Sequence, residues 1–370
     1  MVRRNICFFN STKAWGGGEK WHFDVAVRLA AKHGNVFVVG GKGSELSKRL
    51  QTTAVPHYSV GIGNLSFLNP WKIFKLFRLF RKERPDILIM NLPADLKAAG
   101  VAARLAGVKR IIYRRGSAIA VRNSFLNRWL FRYIIDEIIA NSAETARTIL
   151  ADNPELFPVE KITVVYNGVD WEKFDCQLQE PLPRPQLARI VLGNAGRLVP
   201  QKGQEFLIEV AKRLKSKGYD FEIVIAGEGR LKDSLQQKSV AEGVAEQLRF
   251  LGFVGNMPQF LQSIDVFVLP SHWEGFGYVI AEAMYCAKPV IAFNVSSNPE
   301  IVINNETGFL VGHGDIDGFL EKAELLINNP DLRHTMGQRA KKVAVERFSI
   351  QNTLASIERL FYADNGSALT

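Results

Sequence analysis

The stretch Pro270-Ser-His-Trp-Glu274-Gly-Phe-Gly277-Tyr-Val-Ile-Ala-Glu282-Ala-Met284 decides how the chain is read. An apolar run, 265–269, precedes it, and Lys288-Pro289-Val290 opens another behind it. A strand, a glycine-bearing loop and a helical pattern make one unit of a doubly wound sheet. In such sheets ligands bind at the strands' carboxyl ends. Gly275 and Gly277 allow close approach, so the amides near Gly277, Tyr278 and Val279 would point at an anion on the helix N-terminus. Glu274 falls in the loop and Glu282 in the helix, each able to accept hydrogen bonds from sugar hydroxyls. Acids are favoured at a helix start in any case. The glycines and flanking strands are what make this pair a candidate site.

Further upstream, Asn194-Ala-Gly196-Arg197-Leu-Val-Pro-Gln-Lys202-Gly203 follows another strand and leads into a helix. Two cations at the mouth of a strand-to-helix crossover suit a diphosphate, Arg197 as a planar fork and Lys202 as a mobile point charge. An ordinary solvated loop would carry the same residues.

The same alternation fills the whole chain of 370 residues. Strands are expected at 6–9, 36–39, 87–90, 110–113, 137–140 and 162–165, with helical patterns such as 22–32 and 70–82 between them. A second series, at 190–195, 221–226, 249–253, 265–269 and 289–293, alternates with helices at 203–217, 231–242, 278–285 and 317–328. Between the series, residues 177–185 hold three prolines in five positions and read as a linker. The expectation is two Rossmann-like doubly wound α/β domains, 1–175 and 188–348, joined by 176–187. A last helix, about 349–370, is expected to pack back on the first domain.

Composition narrows the classes. Cys7, Cys176 and Cys286 are far apart and odd in number, so neither a disulfide framework nor a cysteine metal site is expected. No apolar stretch is long enough for a signal peptide or a membrane span, and the cytoplasm is the expected compartment. The net charge of +10 is uneven: residues 1–175 carry 27 Lys and Arg against 15 Asp and Glu, the remainder 20 against 22. An anionic partner is therefore expected at the N-terminal half.

Taken together, these runs resemble glycosyltransferase family 4, a retaining family whose pattern joins E-G-F-G to E-A-M and then P-V-I-A. Tyr166-Asn-Gly-Val-Asp170, Gly196-Arg-Leu with Gln201-Lys-Gly203, and Ala226-Gly-Glu-Gly229 agree with it. So do Pro299-Glu-Ile-Val302 and Thr307-Gly-Phe-Leu-Val311, all in the right order. The resemblance implies the GT-B fold, two domains facing a cleft, with acceptor on the N-terminal side and donor on the C-terminal side. Arg197 and Lys202 would neutralise the diphosphate leaving group, Glu282 would hold the ribose and Glu274 the donor sugar. Backbone at Gly252 and Phe253 would touch the base, and the 275–279 run, with Phe276, would line the donor. No metal or other cofactor is implied, the donor being a nucleotide sugar, with a UDP-sugar favoured.

On the N-terminal side, Trp15-Gly16-Gly17-Gly18-Glu19-Lys20 precedes a helix, and the resemblance turns Gly17 and Gly18 toward donor phosphate and acceptor. Where many members have a histidine after the strand ending at Tyr113, this chain has Arg114-Arg115-Gly116-Ser117, which argues for an anionic acceptor or an extra phosphate contact, a surface arginine pair being the plain alternative. Asn91 and Asp95 follow the strand at 87–90; Asp95 is a carboxylate candidate near the acceptor and equally a helix cap. Two departures, Ala287 where glycine is usual and Ser296-Ser-Asn298 in place of a glycine run, are expected to alter loop shape near the donor sugar. His22, His33, His57, His313 and His334 read as structural or surface, and His272 has no metal spacing.

Residues 70–82 mix aromatics with cations, with Ile73, Leu76, Phe77 and Phe80 on one helical face; 122–132 does the same. Either segment suits an anionic membrane interface, or simply packs on its own sheet. The expected activity is transfer of a sugar to a glycan or lipid-linked acceptor in envelope polysaccharide or lipopolysaccharide synthesis, with peripheral contact at the inner leaflet. The alternatives are a sugar-nucleotide 2-epimerase of the same fold and a basic nucleic-acid-binding protein. No nucleic-acid module is recognisable, and no nucleic-acid partner is expected.

Overall fold

The computed structural model describes residues 4–175, 180–181 and 190–362, which divide into two compact units. The first comprises the chain up to Asn167 together with the stretch from Thr353 onward; the second is Gly168–Asn352.

Seven parallel strands build the first unit: β1 (Ile6–Asn10), β2 (Val36–Gly41), β3 (His57–Val60), β4 (Ile87–Met90), β5 (Arg110–Arg115), β6 (Glu137–Ala140) and β7 (Ile162–Val164). Their spatial order is β3-β2-β1-β4-β5-β6-β7. Successive residues of a strand face opposite sides, and here both sides are covered. Cys7 and Phe9 of β1 pack with Leu76, Phe80, Leu130 and Phe131 on one face. Ile6 and Phe8 pack with Trp21, Val25 and Leu29 on the other, where Ile357 and Phe361 of the helix Ile350–Tyr362 also lie. Strand β3 escapes the sequence pattern because it is an edge strand, half-buried, with His57 and Ser59 breaking the apolar run.

The second unit has six parallel strands: β8 (Ile190–Ala195), β9 (Phe221–Ala226), β10 (Leu248–Gly252), β11 (Val266–Leu269), β12 (Val290–Phe293) and β13 (Gly308–Val311), in the order β10-β9-β8-β11-β12-β13. Leu207, Val210 and Leu214 of the helix Gln204–Ser216 and Phe319 and Leu326 of the helix Ile316–Asn328 close its core. A helix not expected from the sequence, Pro330–Arg347, is polar almost throughout and buries only Met336, Gly337, Ala340 and Ala344. That stripe is small rather than oily because the helix lies very close to its neighbour: a Cβ at Gly337 would stand 2.0 Å from the Ala287 carbonyl oxygen.

Strand order reverses between β1 and β4 in the first unit and between β8 and β11 in the second. In doubly wound sheets, ligands bind at the carboxyl ends of the strands flanking such a reversal. The loops after β1 and β4 carry Gly17, Gly18, Asn91 and Asp95; those after β8 and β11 carry Arg197, Lys202 and Glu274. Of the proline-rich segment 176–187, only Glu180 and Pro181 are among the described residues. The short helix Trp171–Asp175 belongs with the second unit, where Trp171 stacks on Tyr285 at 4.1 Å and Tyr285 Oη donates to Asp175 at 2.7 Å.

Candidate functional site

In the second unit the loops after β8 and β11 are fastened to each other. His272 N donates to the Gln201 carbonyl at 2.9 Å, and the Gln201 side chain donates to the Trp273 carbonyl at 2.9 Å. Gly203 makes this approach feasible. Its φ is +64°, and a Cβ there would sit 2.0 Å from the Pro270 carbonyl oxygen. The clamped loops set Lys202 Nζ 2.6 Å from Glu274 Oε1, with the two side chains only 14% and 6% exposed. Arg197, at the same strand end, is exposed, and no carboxylate pairs with it among the described residues. Gly277, at φ +79°, caps the helix Tyr278–Tyr285, whose first turn no side chain caps. Lys202 against Glu274, an uncapped helix start just after Glu274, and exposed Arg197 in the same loop as Lys202 offer donors for an anion whose attached groups Glu274 can read.

The other donor-side candidates divide. Gly275, Gly277, Tyr278, Val279 and Glu282 are partly exposed around the helix start. Phe276 is not available to a ligand through its ring, which is 3% exposed and packed edge-on to Tyr278 and Phe348. Gly252, at φ +69°, accepts the Gly227 amide at 2.7 Å, so β10 ends beside the Ala226–Gly229 turn, with Phe253 82% exposed next to it. Ala287 does not shape the donor loop: it closes the helix Tyr278–Tyr285 at φ +55°, with Lys288 N bonded to the Ala283 carbonyl. Ser296, at φ +48°, is the departure that does reach the site, since the following Ser297 Oγ donates to the Glu274 carbonyl at 3.4 Å.

In the first unit a pocket of about 380 Å³ opens where β1, β4 and β5 end, lined by Gly18, Glu19, Asn91, Arg115, Gly116 and Ser117 among others. The helix Gly17–His33 begins here without a side-chain cap. Gly18 has no room for a side chain, because a Cβ would lie 2.4 Å from Asn91 Nδ2. Glu19 is buried and accepts from Asn10 at 2.9 Å.

Two first-unit candidates prove to be internal. Arg114 is 1% exposed; it donates to Asn91 Oδ1 at 3.0 Å and to Asn167 Oδ1 at 2.7 Å, and its guanidinium lies 4.3 Å from the Trp21 ring centroid. It therefore orients Asn91 rather than meeting an acceptor itself. Asp95 is fully buried and accepts both from Ser11 N, at 3.1 Å, and from Ser11 Oγ. It neither caps a helix nor faces a ligand; it ties the turn after β4 to the loop after β1. Burial pushes its carboxyl up to about 7, against the opposing pull of the Ser11 hydrogen bonds. Arg115, by contrast, lines the pocket, with Nη2 donating to the Ile119 carbonyl at 2.6 Å.

Several participants have no sequence signal of their own. Asn10, Glu19 and Asn167 are common residue types whose importance comes from burial. His272 Nδ1 and His313 Nε2 meet at 2.7 Å across 41 residues of sequence, and burial and the neighbouring ring lower the His272 pKa. His22 is also internal, its Nδ1 3.0 Å from the Gly18 carbonyl, and burial beside Arg114 lowers its pKa to about 3. Among the described residues no group of three or more His, Cys, Asp and Glu side chains could hold a metal ion.

Comparison with known proteins agrees with this architecture. Residues 15–173 match the model of Glycosyltransferase Family 4, and residues 183–343 that of Glycosyl transferases group 1. The capsular polysaccharide biosynthesis glycosyltransferase CapM of Staphylococcus aureus is 29% identical over 90% of this chain and 91% of its own. An Escherichia coli UDP-Gal:α-D-GlcNAc-diphosphoundecaprenol α-1,3-galactosyltransferase is 29% identical over 80% of this chain and 81% of its own. The fold is that of HepE from Anabaena, solved in complex with UDP, with a TM-score of 0.84 at 22% identity over 97% of this chain and all of that one. Neither the family matches nor these relatives support an epimerase or a nucleic-acid-binding protein. With both units matched in order and the relatives aligned over most of their length, the chain belongs to the family 4 glycosyltransferases, nucleotide-sugar-dependent enzymes of the GT-B fold.

Proposed function

We propose that the protein transfers a hexose from a UDP-sugar, with retention of configuration and without a metal, to a glycan or lipid-linked acceptor in cell-envelope glycan synthesis. The observation that carries this reading is the Lys202–Glu274 pair clamped at the switch point of the second sheet, with exposed Arg197 beside it. The names of the relatives, a capsule enzyme and a galactosyltransferase using a diphosphoundecaprenol-linked sugar, support the acceptor class, and the UDP complex of the structural neighbour supports the base.

In this mechanism Arg197, Lys202 and the amides at Gly277, Tyr278 and Val279 hold the diphosphate. Glu282 takes the ribose hydroxyls, and backbone at Gly252 and Phe253 meets the base. The bond from the anomeric carbon to the diphosphate breaks while the acceptor oxygen bonds to the same face. The acceptor's proton passes to the departing phosphate oxygen, so no protein base is required. Charge builds on the leaving group, and Arg197 and Lys202 stabilise it where it develops. Glu274, freed from Lys202 as the lysine turns to phosphate, accepts from the donor sugar. On the first unit, Gly18, Asn91 and Arg115 border the acceptor pocket, with Gly17 next to it at the helix start, and Arg114 and Asp95 hold that border in place.

Membrane contact is part of the proposal. The helix Pro70–Glu83 buries Leu76 and Phe80 in its own unit's core, yet Trp71 and Phe74 remain outside beside Lys72, Lys75 and Arg78. Aromatics at a basic surface suit an anionic leaflet. No helix among the described residues is long and apolar enough to cross a membrane. Flotation with anionic vesicles should carry the protein up, and neutral vesicles should not.

The decisive measurement is titration calorimetry with UDP, GDP and ADP in chelator, followed by a transfer assay. UDP binding that Glu282→Ala weakens, with a roughly 100-fold lower turnover in Arg197→Ala, is the expected result. Undiminished turnover in Arg197→Ala would overturn the donor assignment.

A further inference from the structure

Beside the acceptor pocket lies a second cavity of about 140 Å³ in the same unit. Pro93, Arg115 and Ala120 line both, so the two are neighbours. Lys97, Arg115 and Arg122 stand around the second cavity, and no acidic residue lines it. Among the described residues none of the three pairs with a carboxylate. Arg115 donates to the Ile119 carbonyl and meets the Tyr113 side chain, Lys97 lies 5.6 Å over the Phe67 ring, and Arg122 is exposed. Three like charges around one small cavity repel one another, and the arrangement is relieved by an anion.

Leu96, Val121, Leu130 and Phe131 make the floor. Leu130 and Phe131 belong to the helix Phe125–Tyr133, whose outer side carries Phe125, Trp129 and Tyr133 at four-residue spacing, all exposed. Residues four apart share a helix face. The cavity thus adjoins a polar pocket large enough for a sugar, and the aromatic stripe lies on the other face of that helix from Leu130 and Phe131. At about 30 Å³ per water molecule the cavity has room for about five waters, enough for a phosphate or a diphosphate.

We propose that Lys97, Arg115 and Arg122 form an anion subsite for the phosphate or diphosphate that joins an acceptor's sugar to its lipid. This assignment rests on the transferase reading for its biological meaning, but the subsite can be tested without sugar transfer.

The probe is farnesyl diphosphate, titrated into the full chain without acceptor and with UDP present in saturating excess to fill the donor-side diphosphate cradle, and compared with inorganic diphosphate and with farnesol. Farnesyl diphosphate should bind, and the Lys97→Gln/Arg122→Gln double variant should weaken it at least tenfold with an unchanged unfolding midpoint. Arg197→Ala, in the other unit, should leave it unchanged. Unaltered binding in the double variant, or an equal loss in Arg197→Ala, would overturn the subsite. Inorganic diphosphate or farnesol binding as tightly as farnesyl diphosphate would overturn the lipid-linked assignment. Because the titration involves no transfer, an inactive protein that passes it refutes the transferase proposal alone, and an active protein that fails it refutes the subsite alone.

Discussion

Lys202 Nζ and Glu274 Oε1 lie 2.6 Å apart although 72 residues separate them in the chain. The pair is buried enough that neither member is satisfied by water alone, so each needs the other until a ligand arrives.

Removing one partner therefore harms more than the reaction. Lys202→Met leaves Glu274 buried and unpaired, and should lower stability by about 3 kcal/mol. Glu274→Gln combined with Lys202→Met should recover most of that loss, since two neutral side chains need no counter-charge. Turnover should fall by roughly 100-fold or more in both proteins. Denaturant midpoints set beside initial rates separate the two effects; a double variant as unstable as the single one would show that the pair adds nothing to the fold.

Ala287 and Ser296 sit in the left-handed region, at φ +55° and +48°, where a side chain is strained and glycine is not. Ala287→Gly should raise stability by about 1 kcal/mol. Its kinetics should not change, because it ends a helix away from the donor loop. Ser296→Gly should relieve similar strain but alter the apparent affinity for donor, since its neighbour Ser297 bonds to Glu274. Thermal midpoints and donor KM values check both; a lower midpoint for Ala287→Gly would contradict the strain.

Asp95 gives the first unit a pH dependence of definite sign. Its folded pKa, about 7, stands above the ordinary carboxylate value of 3.8, so folding favours the protonated form. That contribution is complete below pH 4 and disappears as pH rises toward and through 7. His22 acts oppositely: its pKa is lowered to about 3, so its contribution is complete above 6.5 and is lost in acid. Asp95→Asn removes the first trend only. The stability of Asp95→Asn relative to the parent protein should improve steadily from pH 4 to pH 8 in chemical denaturation; a constant difference would mean that Asp95 ionises normally.

How far the chain could be read without its fold depends on whether a feature is local. Strand and helix patterns come from side-chain periodicity, and eleven of the thirteen strands stand out that way. Of the two that do not, β3 is an edge strand whose His57 and Ser59 break the apolar run, and β13 is only four residues long and opens on a glycine. The helix Pro330–Arg347 was hidden for another reason: it packs through glycine and alanine, which leave no amphipathic stripe.

The sequence by itself determined the two doubly wound halves, the loops that end β8 and β11, and the family, because each depends on residues within a few positions of one another. Only the tertiary structure decided which candidates face a ligand. Arg114 and Arg115 are adjacent, yet alternation along β5 turns the first inward onto Asn91 and Trp21 and leaves the second at the pocket. Asp95 lost its expected place at the acceptor because Ser11, 84 residues earlier, claims its carboxylate. Lys97 and Arg122 became a possible site only when the fold brought them around one cavity with no acid to neutralise them. Burial and pairing are set by contacts distant in sequence, and no local pattern of charge encodes them.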